Sequence, residues 1–599
     1  MISQAQTPID KFNEIWRKIP ATTKITFLSA FLIGVFTHLF IFTNMLPNLD
    51  AVNVFVVRYE ITWPPLWVND GRWLSFYILL LTGRFSLPFV NEILSLVLIS
   101  ISACLIVSIT KVKKSIYCIL ISSLLVTIPV VASIFTYMQL SVPFFFGLLT
   151  SCLAAFIAER YNKYGFIFSA ILVLLSLSIY QAYFSVTVAL FIIAVILEIL
   201  DNRESWQKII IKGIKYVAAL GVGMLLYLIS VNVIYPDGLT PYQGLDKMGS
   251  IPISDIPYLI RRAYVEIIRV FISDSRNFHY AFMRYMFILA FAACGILVFL
   301  WCVKPGAHLS KSIIKQPIKI FLLLVLFVLF PLGINLIYVM TPFSSVHDLM
   351  IYPTVFIPIF LLIVADRYSD NEPYRDESIN EGFLYRLLNK RVITKTVNAS
   401  VWVITLVAVI LSFNYWIVSN QAYFKLKIAY ETTYAQSVLL VSQIQNVEGY
   451  RADMDVILVG LPHIPQGIPE LSNITNTGAT GPELFGNWSY MFFLRNYLNF
   501  TQVKLHLLTG LYRNEYHEAV NFSFIVRGMP VYDLNIAEYV RRLPIYYDVE
   551  LMETIRKMPM FPNSGSIAII DDIIYVRFTY VDRCCWEFFP NQIPTCCIR

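Results

Sequence analysis

Between Ile25 and Val418 the chain is apolar in repeated runs, most of about 18–22 residues, long enough to cross the hydrocarbon of a bilayer. This pattern leaves little freedom of fold class. In lipid every backbone N–H and C=O must be bonded within the protein, so only helices and closed barrels span. Long unbroken apolar runs read as helices. Of the 599 residues 57% are hydrophobic and only 14% are charged, whereas a soluble domain is nearer about a quarter charged. The expected architecture is a polytopic α-helical membrane protein.

Eleven transmembrane helices are expected, near Ile25–Thr43, Val90–Thr110, Ile116–Ile134, Val142–Ala158, Phe166–Ile179, Phe184–Ile199, Ile214–Ile234, Phe282–Val303, Ile318–Met340, Leu349–Val364 and Val397–Val418. Arg72–Phe89 is apolar but holds Gly83, Arg84 and Pro88, which fits a helix lying in the interface. Ile256–Ile272 is amphipathic and carries Arg261, Arg262 and Arg269. Met1–Lys24 is polar and basic and reads as a cytoplasmic tail before a signal anchor. Lys and Arg then collect in alternate loops, as at Lys111, Lys113 and Lys114, at Arg160 and Lys163, and at Lys304, Lys311 and Lys315. The short loops around Thr136, Gln181 and Ser345 hold none. That bias places the N-terminus inside. The net charge of +7 is accounted for by it, and no nucleic-acid partner is implied.

An odd number of spans puts residues 419–599 outside. The expected organisation is a tail over 1–24, a transmembrane domain over 25–418 with external loops 44–89 and 235–280, and an extracytoplasmic α/β domain over 419–599. In that domain Asp455–Gly460 and part of Leu498–Leu508 read as strands, and Ser566–Phe578 as a hairpin turning at Asp571-Asp572. Helical patterns lie at Tyr430–Gln445, Trp488–Tyr497 and Ile536–Arg542. Cys584-Cys585 and Cys596-Cys597 would sit in an oxidising compartment, where disulfides are favoured over zinc or free thiols.

Ionisable residues are nearly absent from the spans. His38 and Glu92 are the main exceptions, both near a span end, and this scarcity argues against an ion-coupled transporter. Polar chemistry gathers instead in external loops. The first holds Asp50, Arg58, Glu60, Asp70 and Arg72 among Trp63, Trp67 and Trp73. Later loops hold Arg261, Arg262, His347 and Asp348, with Tyr180-Gln181 between the fifth and sixth spans. Acids and arginines at headgroup depth suit a polyprenyl-phosphate sugar donor. Arg offers a planar fork to phosphate oxygens and stabilises the charge that grows as the sugar leaves. A positioned carboxylate can take the proton of an acceptor hydroxyl, and one such base suffices for single-displacement inversion. No clustered carboxylate motif calls for a metal, and no cofactor is needed. The competing readings are plain ones. Asp50 also fits a loop-solvation or capping residue, Arg72 an interfacial anchor, Arg261 and Arg262 headgroup contacts, Tyr180-Gln181 a turn, and His347-Asp348 a capped helix start.

Leu49-Asp50, Asn69-Asp70-Gly71-Arg72-Trp73, Ser178-Ile179-Tyr180-Gln181-Ala182, Asn420-Gln421-Ala422-Tyr423-Phe424-Lys425-Leu426 and Met558-Pro559-Met560-Phe561-Pro562-Asn563-Ser564-Gly565 follow one another along the chain. In that order they resemble the Gtr-type serotype-converting glucosyltransferases of bacteria and their phages. The resemblance implies a GT-C fold in the bacterial inner membrane, with its C-terminal domain periplasmic. It implies transfer of a sugar from undecaprenyl phosphate to a polysaccharide or lipid-linked glycan, often O-antigen. It makes Asp50 the general base, Arg72 a donor-phosphate ligand and Tyr180-Gln181 part of a substrate pocket. Family members often pair two acids in the first loop. Here Asp50 is flanked by Leu49 and Ala51, and Asp70 and Glu60 stand as alternative or shared bases. A polymerase or ligase using a diphosphate-linked donor, and a polysaccharide flippase, are the alternative functions.

Overall fold

The structure is a computed structural model. It describes residues 11, 14, 16–48, 51, 70–83, 85–161, 164–236, 238–239, 251–273, 278–303, 313–341, 346–370, 390–460, 490, 493–494, 498–500, 505–508, 512–513, 519–520, 524–526, 529–530 and 549–578. Asp50, Arg58, Glu60, the four cysteines at 584, 585, 596 and 597, and the helix expected at Ile536–Arg542 lie outside these residues. The chain divides into two compact units, one helical and one built on a mixed sheet, with a boundary between Tyr423 and Phe424.

In the helical unit, in chain order, stand α1 (Ala21–Thr43), α2 (Trp73–Ile78), α3 (Pro88–Thr110), α4 (Ser115–Thr127), α5 (Pro129–Thr136), α6 (Ser141–Arg160), α7 (Gly165–Leu177), α8 (Phe184–Asp201), α9 (Trp206–Ile234), α10 (Ile256–Ile268), α11 (Met283–Val303), α12 (Pro317–Ile334), α13 (Ile337–Met340) and α14 (Phe356–Asp370). A helix of 56 residues, α15 (Lys390–Gln445), follows. Among the described residues nine helices are long and apolar enough to cross a membrane, and the bent pair α4–α5 makes a tenth. The expected count of eleven differs at α7, whose 13 residues rise only roughly 20 Å, short of a hydrocarbon core of about 30 Å. Two further spans depart from plain helix. The expected ninth breaks at Asn335, and the tenth opens with a 3-10 run, Asp348–Val355, that contains Pro353. The apolar stretch after Arg72 stays short, because Gly83 at φ +61° ends its 3-10 turn.

The break between α4 and α5 has a chemical cause. Pro129 has no N–H, so the carbonyl of Leu125 cannot receive the usual i+4 bond. The pair bends by 42°, and the N–H of Val131 turns to Ile128 instead. Three successive carbonyls are then met by side chains from three other elements. Tyr352 donates to Leu125 at 3.0 Å, His38 Nε2 to Val126 at 2.7 Å, and Ser419 to Thr127 at 3.2 Å. The 3-10 run before α14, helix α1 and helix α15 are thereby tied to one bend. Small residues allow the remaining contacts. A Cβ on Gly34 would meet Leu96 at 2.6 Å, and one on Gly223 would meet Val173 at 2.6 Å, the close approach typical of membrane helices.

At the ends where the Lys- and Arg-rich loops lie, acids cap and bridge. The Asp366 carboxylate accepts the N–H groups of Lys113 and Lys114 at 3.1 and 3.0 Å, meeting donors that the start of α4 leaves open. Lys212 bridges Glu159 and Glu198 at 2.8 and 2.6 Å.

In the second unit β1 (Asp455–Val459) lies between β2 (Leu505–Leu508) and β8 (Ile573–Arg577), parallel to both. Its five residues are all buried, as expected of a strand covered on both faces. The full sheet is β6-β5-β2-β1-β8-β7, with β5 (Phe524–Val526), β6 (Met529–Pro530) and β7 (Ile567–Ile570), and a separate pair joins β3 (Tyr512–Arg513) to β4 (Ala519–Val520). The hairpin read at Ser566–Phe578 is present. Asp571 and Asp572 both have positive φ, +49° and +62°, the two-residue turn whose twist matches the strands.

Tyr352→Phe is expected to lower stability in detergent by about 1 kcal/mol, because it strands the Leu125 carbonyl. An unfolding curve unchanged from wild type would show that this carbonyl is satisfied another way.

Candidate functional site

The turn Asp70-Gly71-Arg72 is the one charged part of the expected first-loop site that lies within the described residues. Gly71 adopts φ +83°, a left-handed conformation open to glycine at no steric cost. A Cβ there would also collide with the Tyr227 hydroxyl. The turn closes on itself: Asp70 accepts the N–H of Arg72 at 3.2 Å with one carboxylate oxygen and pairs with Arg72 Nη1 at 3.0 Å with the other. Both side chains are largely but not wholly covered, at 16% and 18% exposure.

Gln181 holds the turn from across the fold. Its amide donates to the Asp70 carbonyl at 2.8 Å and to the Tyr227 hydroxyl at 2.9 Å, and its oxygen accepts from Arg72 Nε at 3.2 Å. The guanidinium lies over the Tyr180 ring, 4.8 Å from its centre, in cation–π range. Tyr180 in turn packs on Phe144 and Tyr183, with centroids 4.6 and 5.4 Å away. Two more bonds seat the segment: Leu74 N–H to the Ser178 carbonyl at 3.0 Å, and the Trp73 indole to Ser230 at 3.2 Å. Arg72, Tyr180 and Gln181, separate in sequence, therefore meet, and Gln181 is more than a turn residue. Three amide bonds hold it against the turn, Tyr227 and the guanidinium.

Two tyrosines of this site carried no signal in the sequence. Tyr227 lies in the apolar face of α9, and Tyr235 caps the end of that helix. The Tyr235 hydroxyl is buried and makes no hydrogen bond among the described residues. Burial first, and then the Asp70 carboxylate, push its ionisation well above the usual phenol range, so the hydroxyl keeps its proton. Neither could have been chosen by residue type among 36 tyrosines; only the polarity of a Tyr at an apolar helix face was available.

The other expected residues stand elsewhere. Arg262 lies 5.2 Å over the Tyr338 ring, Arg261 is exposed on α10, and Arg269 pairs with Glu266 at 2.6 Å. His347 is exposed, and Asp348 opens the 3-10 run, where an acid meets open N–H groups. Asn48, buried, accepts the N–H of Ala51 at 2.9 Å.

The cluster can do one thing well. It presents a largely covered cation held by an ordered acid and an amide, an arrangement suited to an anionic ester oxygen. A family model described as Glucosyl transferase GtrII matches residues 39–358, more than half of the chain, and the match contains every member of this cluster. A search of curated proteins returned no match.

Gly71→Ala is expected to destabilise the protein twice over, through a left-handed penalty of about 1–2 kcal/mol and through collision with Tyr227. Combining it with Tyr227→Phe should recover only the collision. Full recovery of thermal stability in the double variant would show that the backbone at this turn is unstrained by a side chain.

Proposed function

Because this chain belongs to the GtrII glucosyl transferase family, and is therefore a membrane glycosyltransferase, we propose that it moves a hexose, glucose first, from undecaprenyl phosphate to a cell-surface polysaccharide such as O-antigen. The reaction takes place at the outer face of the bacterial inner membrane. The proposed architecture is GT-C-like, with the tail 1–24 inside, the membrane domain 25–418 and an extracytoplasmic domain 419–599. The observation that carries the reading is the Arg72 guanidinium, held by Asp70, Gln181 and Tyr180 in one fixed plane.

Arg72 binds the donor phosphate. Because its plane is already set, little reorganisation is needed when charge grows on the phosphate as the sugar–oxygen bond breaks. Tyr235 supplies a second, uncharged donor. Asp70, occupied by Arg72 and its own turn, orients the cation and is the weaker candidate for base. Asp50 takes the acceptor proton, with Glu60 as its alternative, and the acceptor oxygen displaces the phosphate in one inverting step. Arg261 and Arg262 on the amphipathic α10, with His347 and Asp348, line the approach of lipid headgroup and glycan.

Transfer from a labelled undecaprenyl-phosphate sugar in membranes tests the scheme. Asp50→Asn should lower kcat by about 10²–10⁴-fold at unchanged protein abundance. Arg72→Lys, which keeps the charge and loses the fork, should weaken donor use by about 10–100-fold. Persistent transfer in Asp50→Asn would move the base to Glu60. Transfer only from diphosphate-linked donors would identify a polymerase or ligase, and none from either donor a flippase.

A further inference from the structure

His38 and Glu92, two fully buried ionisable residues of the spans, lie on facing helices. Cys104 on α3 donates to the Thr23 carbonyl on α1 at 3.4 Å, and Leu96 lies against Gly34. As position rises on one helix it falls on the other, so Glu92 stands opposite His38. Both are fully buried. The third member is Tyr423 of α15, whose hydroxyl lies 2.7 Å from His38 Nδ1 and within electrostatic reach of Glu92. Phe135 meets the imidazole edge-on at 4.8 Å, and Phe42 tilts against it at 6.3 Å.

The hydrogen bonds have a fixed direction. His38 Nε2 faces the Val126 carbonyl, which only accepts, so Nε2 carries the hydrogen. Nδ1 is then the acceptor, and Tyr423 donates to it. The Tyr423 oxygen keeps lone pairs for a further donor. On the Glu92 side, both carboxylate oxygens, Asn91 Oδ1 and Ser95 Oγ are buried without a hydrogen-bond partner among the described residues. Residues 91, 92 and 95 fall within one turn and on one face of α3. Such a concentration of unmatched buried oxygen atoms, each costly when left unmet, points to an occupant.

We propose that Glu92, Tyr423 and His38 form an intramembrane site that binds one proton, with a water seated among Asn91, Glu92 and Ser95. The proton rests on Glu92 as a carboxylic acid, and the water links it to the Tyr423 oxygen. Its movement balances without any co-reactant. The Glu92 O–H bond breaks, and a proton passes through the water to the Tyr423 oxygen. The original Tyr423 O–H bond breaks, and its proton forms an N–H bond at His38 Nδ1. A carboxylate and an imidazolium result, and the total charge of the site is unchanged. This assigns a role to part of the Asn420–Leu426 motif. Asn420 donates to the Thr37 carbonyl at 3.1 Å and Ser419 to Thr127 at 3.2 Å, which holds Tyr423 in register between them. The site shares no residue with the Arg72 cluster, and its test is independent of glycosyl transfer.

The experiment is infrared spectroscopy of the full-length protein in lipid, with heavy-carbon labelling of glutamate to identify acid carbonyl bands in wild type. A band of a buried carboxylic acid is expected that moves in heavy water, is lost in Glu92→Gln, and shifts in Tyr423→Phe as its acceptor chain is cut. These two replacements nearly preserve size, and wild-type elution on size exclusion confirms folding. The labelled wild-type band needs no variant. Absence of an acid band, or a Glu92 band unmoved by Tyr423→Phe, overturns the proposal. Loss of the band on adding sodium at fixed pH also overturns it, in favour of a metal-cation site.

Discussion

Inside a membrane a carbonyl without a donor has no water to turn to, and the helical unit is arranged around three of them. The missing N–H of Pro129 and the bend beside it leave Leu125, Val126 and Thr127 as acceptors, and Tyr352, His38 and Ser419 answer. A proline that would break a soluble helix is tolerated because neighbouring helices re-satisfy the backbone. The same bonds choose which faces of α1, α15 and the segment before α14 turn inward. His38 does two things at once: by donating to Val126 it fixes its own tautomer, and that tautomer gives Tyr423 its acceptor.

Much of this was legible in the sequence, for reasons that can be named. Apolar length sets the spans, so α1, α3, α6, α8 and α11 fall close to their expected limits, while α9 begins eight residues before its expected start. The hairpin at Asp571-Asp572 was readable because two polar residues between β-branched runs are what a tight turn needs. Hydropathy does not see hydrogen bonds, however. Ile116–Ile134 reads as one run although Pro129 divides it, and Phe166–Ile179 reads as a span although its helix has only 13 residues. Glu92 and His38 looked peripheral by position along their runs, while packing buries both completely.

For the site the division is similar. Charge in a loop after the first span singles out Asp70 and Arg72, and the resemblance points to Tyr180-Gln181 as part of a pocket without indicating that they meet Arg72. That Gln181 reaches Arg72 across 109 positions is a property of the fold, as is the presence of Tyr227 and Tyr235 on a helix whose sequence only announces a span. The pairing of Arg72 with Asp70 also moderates the site. The cation is thereby partly neutralised before anything else meets it.

The bend between α4 and α5 has a further consequence in time. Its three donors lie 227, 88 and 292 positions from their carbonyls, and a chain made from its N-terminus supplies them in the order His38, Tyr352, Ser419. His38 is already in the bilayer when the bend is made. The Leu125 and Thr127 carbonyls receive their donors only after most of the chain has been made. Membrane insertion of this chain is therefore not a sum of independent hydrophobic segments: the bend becomes fully lipid-compatible only when its last span arrives.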